Sequence, residues 1–327
     1  MQSVHGYGLL LACLVMFHDA SAADAFWKPA RPVAFIVGAA PGGSIDLTAR
    51  LIQRAFDDQR IVGQPIIVIN KPGAGNGIAW DYLNERGGDG HAISIGTTNL
   101  VSNPVIGAHR ISWRDVTPLA MLFDDYMVLL ARADSPVRSM KDVAERLRKD
   151  PAALSVAFAP SLGSGAHTGA AVALKAVGAS VKDARLVAYK SAGEAITAML
   201  GGEIDIVSAT AANVPPFLQA GRVRVLAVTA PKRLGGALAA VPTLKEQGYE
   251  GVFTNWRAVI GPRDMRREHI GYWEKALADA TKTETWQRDL ERNFWTANFQ
   301  TGDAARQFIE RSAAEFRALW ADIGVKK

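Results

Sequence analysis

Three glycine-rich turns carry the residue types in this chain best suited to holding a small charged molecule. The first, Ala40-Pro41-Gly42-Gly43-Ser44-Ile45-Asp46, follows the apolar run Val33–Val37; Gly42 and Gly43 permit a tight turn, and Ser44 is a good helix N-cap. A strand that ends in such a turn and restarts as a helix leaves the first helical N–H groups unpaired, with the positive end of the helix dipole behind them. That arrangement cradles a carboxylate or a phosphate. The second turn, Asn70 to Gly77, follows Ile66–Ile69, and the third, Ser161-Leu162-Gly163-Ser164-Gly165-Ala166-His167-Thr168-Gly169, follows Leu154–Phe158. One such turn arises wherever a strand ends and a helix needs a cap. Three of them at strand ends point to an anion site.

Other chemistries fit the same residues less well. Ser164 and His167, three apart, invite a nucleophile–base reading, yet a nucleophile elbow reads G-x-S-x-G and the frame Leu162 to Ala166 lacks its first glycine. A helix cap that also bonds a ligand explains the pair more simply. Gly73-Ala74-Gly75-Asn76-Gly77 has G-x-G-x-G spacing and does not follow the first strand, which disfavours a dinucleotide site. His91, His109 and His269 are scattered without metal-ligand spacing, so neither a metal nor a cofactor is expected. Asp124-Asp125 suits a hinge or turn better than a carboxylate pair for acid/base work. Trp256 is a candidate to face a cleft. Arg257 beside it could clamp a carboxylate bidentately or sit in a structural ion pair, the latter being the simpler role.

These turns need strands and helices to hold them. Strands are predicted at 33–37, 66–69, 93–96, 127–131, 154–158, 186–188, 204–207 and 224–228, and helices at 44–57, 141–149, 167–177, 193–200, 214–219, 268–280 and 301–323. Strands alternating with helices predict parallel α/β sheets covered on both faces, whose ligands sit at the carboxyl ends of the strands. Thr98-Asn99 and Lys190-Ser191 also lie at such ends. A first α/β unit is expected to run to about residue 124 and a second over 125–228, with the helical tail 229–327 packing back on the first. The chain then crosses twice between two lobes, and a hinged body closes on a ligand between them.

With 327 residues, 49% hydrophobic and 21% charged, the chain has enough apolar material for more than one core. Gly8 to Phe17 is too short to span a bilayer and is followed by Ala20-Ser21-Ala22, a small-x-small pattern, which predicts an export signal over 1–22 cleaved after about Ala22, although its start carries no Lys or Arg. Lipid attachment at Cys13 is the less favoured alternative, because Leu11 is bulky for that motif and the apolar run continues past the cysteine. Cleavage removes this single cysteine, and a mature chain without thiols suits a compact periplasmic protein. The formal charge of +5 favours acidic small molecules, and no Lys/Arg block resembles a nucleic-acid footprint.

A family resemblance runs through the mature chain in order: P-G-G-S-x-D at Pro41 to Asp46, N-K-P-G-A-G at Asn70 to Gly75, Tyr189-Lys190 with Gly193-Glu194-Ala195, L-G-G-x-I-D at Leu200 to Asp205, A-G-R-V-R-V-L-A-V at Ala220 to Val228 and V-P-T-L-K-E-Q-G at Val241 to Gly248. It resembles the solute-binding receptors of tripartite tricarboxylate transporters, the TctC/Bug family. Asn255-Trp256-Arg257 and the end of the chain look closer to the tricarboxylate-type branch. The resemblance implies a type II periplasmic binding-protein fold, two lobes joined by a two-crossing hinge, and a monomer that hands a di- or tricarboxylate to membrane permease subunits without chemistry. Carried over by position, Gly42, Gly43, Ser44 and Asp46 with Thr98 and Asn99 would hold the ligand from one lobe. Ser164, Gly165, Ala166 and His167 with Lys190, Ser191, Ala209 and Thr210 would approach from the other. Many relatives carry an acidic residue within the stretch occupied here by Ser208 to Ala211, and its lack disfavours an amino-acid ligand. An exported Ser/His hydrolase and a ligand sensor for a signalling partner remain the alternatives.

Overall fold

A computed structural model describes residues 27–323; the export signal and Cys13 lie outside the described residues. Two sheets organise the chain. In the first, β1 (Val33–Val37) lies between parallel neighbours β2 (Ile66–Asn70) and β3 (Ala92–Thr97). Beyond β3 come β10 (Asn255–Gly261), β4 (Thr117–Asp125) and β11 (Thr296–Thr301), giving the order β11-β4-β10-β3-β1-β2. The second has the order β7-β6-β8-β5-β9, built from β5 (Met127–Arg132), β6 (Ser155–Phe158), β7 (Arg185–Ala188), β8 (Ile206–Thr210) and β9 (Val223–Val228).

Helices cover both faces of each sheet. On the first, α1 (Ser44–Asp58), α8 (Arg267–Thr281) and α9 (Glu284–Arg292) bury Phe56, Trp273 and Trp286 against Phe35, Ile95 and Phe123. The opposite face takes α2 (Gly77–Asn84), α3 (Asn99–Ile106) and α10 (Gly302–Ile323), with Trp80 and Trp320 fully buried. On the second sheet, α4 (Met140–Lys149) and α5 (Gly165–Ala176) share that same core, while α6 (Ala192–Gly201) packs on the other face with α7 (Pro215–Gln219) near β9. Amphipathic spacing explains the helices: in α4 the buried residues Met140, Val143, Ala144 and Leu147 recur at intervals of three and four.

The two sheets are joined twice. Tyr126 alone separates β4 from β5, and residues 229–254 lead from β9 to β10. Thr229 ties the crossings together: its N–H donates to the Met127 carbonyl (2.9 Å), its Oγ1 accepts from the Met127 N–H (3.0 Å), and the same hydroxyl donates to the Phe253 carbonyl (3.1 Å). β10 and β11 bring the last third of the chain into the first sheet.

Several elements differ from the sequence expectation. β4 opens on Thr117-Pro118, β10 carries Arg257 among apolar residues, and β11 is a polar edge strand, so none shows a clean apolar run. The tail therefore holds two strands as well as helices.

Candidate functional site

The first and third glycine turns fold into one local structure. Gly42 and Gly163 both take the left-handed conformation, with φ of +82° and +72°. The residues after them, Gly43 and Ser164, are the N-caps of α1 and α5, with ψ of 161° and 162°. In each turn the glycine N–H donates to the side chain four residues on: Gly42 to Asp46 Oδ2 (2.9 Å), Gly163 to His167 Nδ1 (2.9 Å). The next amides repeat the match, Gly43 N–H to the Ala40 carbonyl (3.1 Å) and Ser164 N–H to the Ser161 carbonyl (3.2 Å). Both turns thus aim the first amides of a helix past its N-cap.

Gly43 as N-cap corrects the expectation for Ser44. Ser44 is the first helical residue, and no side chain caps α1. The amides of Ser44, Ile45 and Asp46 precede the first intrahelical bond, since the Leu47 N–H is the first to find a carbonyl, that of Gly43 (2.9 Å). At α5 the Ser164 Oγ accepts from the His167 N–H (3.3 Å), which leaves the Gly165 and Ala166 amides as the open pair.

Asp46 is 1% exposed, and its carboxylate is taken up in bracing the turn. Beyond Gly42 it accepts from Arg50 Nε (2.8 Å) and Asn70 Nδ2 (2.8 Å). Burial works to raise its pKa, but the bonds from Arg50, Asn70 and Gly42 outweigh burial and hold the carboxyl below its ordinary range. Asn70 Nδ2 also donates to the Ala39 carbonyl (2.8 Å), pinning the first turn to the second. The second turn reaches α3 and the end of β3 in the same way, with Asn103 Nδ2 donating to the Gly75 carbonyl (3.0 Å) and Asn76 Nδ2 to Thr97 Oγ1 (3.1 Å).

Contacts between the two halves gather here. Ser102 Oγ on α3 donates to the Gly163 carbonyl across the halves (2.9 Å), and within the first half Thr98 Oγ1 donates to Asn255 Oδ1 (3.0 Å). A side chain at Gly165 would come within 2.6 Å of the Asn255 amide, so α5 starts directly against β10. Asn99 bonds to Asn103 and Thr97. Gly42 to Asp46, Thr98, Asn99 and Ser164 to His167 therefore stand on one connected set of loops.

His167 is 5% exposed and lies between Phe158 and Trp320, with ring centroids 4.3 Å and 4.9 Å away. Burial pushes its pKa down to about 4. An unprotonated Nδ1 is also what accepting from Gly163 requires. No ring nitrogen of His167 bonds to the Ser164 hydroxyl, which instead donates to the Ala159 carbonyl (3.2 Å). The nucleophile–base arrangement is absent.

The remaining candidates lie further out. Ser191 caps α6 through the Glu194 N–H (3.2 Å), and Lys190 is exposed, its backbone N–H donating to Glu194 Oε2 (3.2 Å). Thr210 Oγ1 accepts from Asn213 (3.1 Å), and Ala209 is buried in the core on the α6 face. Trp256 is fully buried, its indole N–H donating to Ser312 on α10 (2.9 Å), so it faces the core and not a cleft. Asn76 belongs to the turn the sequence displays, whereas Asn103, which completes it from α3, has no local sequence signal. Among the described residues no His/Cys/Asp/Glu group could hold a metal ion.

Comparisons with known proteins identify the family and the fold. The family model described as "Tripartite tricarboxylate transporter family receptor" (TctC) matches residues 48–325. The chain belongs to this family. Similar curated proteins are BugT of Bordetella pertussis, 29% identical with 91% of each chain covered, and a UPF0065 protein from the tcbD–tcbE intergenic region of Pseudomonas sp. strain P51, 32% identical over 80% of this chain and 77% of that protein. The fold matches the periplasmic binding protein BugD (TM-score 0.78, 24% identity, 92% of this chain and 100% of that one). It also matches two Rhodopseudomonas palustris proteins at 24% identity: MatC with bound malate (TM-score 0.76, 89% and 99% covered) and one with adipate (0.77, 90% and 98%). This chain is a solute-binding receptor of the TctC family and not an enzyme.

Proposed function

We propose that the protein captures a small organic acid, a di- or tricarboxylate, in the periplasm and delivers it to the permease of a tripartite transporter. The observation that carries the reading is the matched pair of helix starts, one from each sheet, whose glycine turns are braced by Asp46 and His167 and whose first helical amides stay open. Main-chain N–H groups at a helix start bind carboxylates through charge-assisted hydrogen bonds. Malate and adipate, found in two proteins of the same fold, are ligands of that chemistry. A micromolar affinity requires about 8 kcal/mol. Several charge-assisted hydrogen bonds at about 1.5–3 kcal/mol each are enough.

In this proposal residues 23–124 and 229–327 make one lobe and 125–228 the other, and the mature monomer begins after about Ala22. Gly42 to Ser44, Thr98 and Asn99 serve one end of the ligand, and Ser164 to His167 serve the other. The exposed Lys190 and Ser191 stand at the rim with Thr210.

The test is a panel of mono-, di- and tricarboxylates screened by thermal shift, followed by calorimetry and recovery of the ligand. Stabilisation by a carboxylate recovered intact is the expected result. A panel in which no carboxylate shifts the melting temperature overturns the proposal, and conversion of the ligand would bring back the hydrolase.

A further inference from the structure

Buried charge collects where the chain crosses between the sheets. Arg257 on β10 is 5% exposed and Asp125 at the end of β4 is 2% exposed. Arg257 stands opposite Thr97 across the β10–β3 ladder, and cross-strand partners share a face of the sheet, here the one covered by α1, α8 and α9. Two residues back along the strand, Asn255 touches both Thr98 and the start of α5. Arg257 thus lies two residues along β10 from the point where Thr98 and the start of α5 meet Asn255.

Its hydrogen bonding is incomplete. One terminal nitrogen donates to the carbonyls of Asn255 (3.3 Å) and Trp256 (3.2 Å). The other is 3.8 Å from Asp125 Oδ2, outside hydrogen-bond range, and neither it nor Nε has an acceptor among the described residues. Asp125 Oδ2 accepts from Asn255 Nδ2 (3.3 Å), and Oδ1 is buried with no donor in hydrogen-bonding geometry. A buried guanidinium with a free edge and a loosely held counter-ion can take a second carboxylate, because a planar fork pairs with two oxygens at once.

We propose that Arg257 is the specificity-determining residue of this receptor: it binds the second carboxylate of the ligand, displacing Asp125, so that the site selects dianions over monoanions. The inference rests on the carboxylate reading above. It carries a second consequence. Burial already pushes the Asp125 carboxyl up to about 6, against the pull of Arg257 and Asn255. A ligand carboxylate on Arg257 places a like charge beside it and raises it further, so binding near neutral pH takes up a proton at Asp125. The groups around Asp125 are Arg257 and Asn255 from β10, Tyr126 at the crossing that follows it and, on its own strand, Asp124, which accepts from Asn298 on β11 (2.9 Å).

The experiment is calorimetry at pH 7 on the mature full-length protein with chain-matched mono- and dicarboxylates, such as butyrate with succinate and hexanoate with adipate, in buffers of differing ionisation enthalpy. Wild type is expected to prefer the dicarboxylate of the best-bound pair and to take up part of a proton. Arg257→Gln should weaken that dicarboxylate by roughly 10- to 100-fold and leave the monocarboxylate unchanged. Asp125→Asn, which keeps the guanidinium, should retain the preference and lose the proton uptake, and it serves as the test if Arg257→Gln does not fold. Equal losses for both members of a pair in Arg257→Gln, or proton uptake that persists in Asp125→Asn, overturn the proposal. A wild type that binds both members equally also overturns it while leaving the carboxylate reading intact, whereas a wild type that binds none sinks that reading instead.

Discussion

The starts of α1 and α5 are two copies of one turn with different braces. At α1 the brace is an ionised carboxylate, the N-cap is a glycine, and Gly42 and Ser44 are exposed. At α5 the brace is a neutral imidazole held between two tilted aromatic rings, the cap is a serine, and every residue from Gly163 to Ala171 is buried. A negative side chain under an anion cradle works against the anion it is meant to hold. Arg50 on Asp46 offsets that charge at α1, whereas the uncharged brace at α5 makes no such demand. The difference teaches that one backbone geometry can be held by a buried charge where a cation and amide donors compensate it, and by a neutral ring where burial acts without such partners.

The largest effect separating the two turns is steric. A side chain at Gly163 would collide with Ile106 Cδ1, while one at Gly42 meets nothing within 4 Å. Gly163→Ala should therefore cost roughly 2–4 kcal/mol, combining left-handed strain and overpacking, and Gly42→Ala about 1–2 kcal/mol from strain alone. Urea denaturation checks this, and equal losses would break the distinction between a buried and an open turn.

The braces should also let go at different pH. His167 is depressed from 6.5 to about 4, so its contribution is complete above pH 6.5 and fades as pH falls toward 4, a swing of roughly 3 kcal/mol. Asp46 is held below 3.8, so its contribution persists above that value and is lost as pH falls further. Asp124 and Asp125, both pushed by burial up to about 6, act in the opposite sense, since they favour the folded state when protonated and that gain is lost as pH rises through 6. Differences between each variant and wild type remove this background. The gap between wild type and His167→Gln should narrow between pH 6.5 and 4, and that for Asp46→Asn only below about pH 4. A gap for His167→Gln that stays constant down to pH 4 would show that the imidazole is not held neutral.

The smallest contrast lies in the serines. Ser164→Ala removes a cap and should cost about 1 kcal/mol, whereas Ser44→Ala, at a helical position without a capping bond, should stay within a few tenths. Thermal denaturation distinguishes the two.

Much of this was legible in the residues because the turns are written in local chemistry. Glycines after apolar runs marked the ends of β1, β2 and β6, and alternation of strands with amphipathic stretches gave the α/β class. What escaped depends on long-range pairing. β11 exists because β4 offers it an edge, and its own T-A-N-F-Q-T has no apolar face to announce it. The cap at α1 moved one residue because Asp46, held by Asn70 from β2 and by Arg50 one turn along α1, draws in the Gly42 amide. Trp256 pointed the wrong way for the same reason: which face of β10 meets α10 is decided by strand pairing rather than by the sequence Asn255-Trp256-Arg257. The likeness of Asp46 to His167 was invisible, since two residues so different share a role through backbone geometry alone.

The most direct test of the amide cradle is calorimetric titration of Ser44→Pro beside Ser44→Ala with the best carboxylate from the panel. Proline is favoured at the first helical position and suits the extended Gly43 before it (φ −71°, ψ 161°), so it deletes one N–H while keeping the helix start. Binding weakened about tenfold or more in Ser44→Pro and unchanged in Ser44→Ala is the expected result. Undiminished binding in a folded Ser44→Pro protein would contradict the claim that peptide nitrogens at the start of α1 hold the ligand.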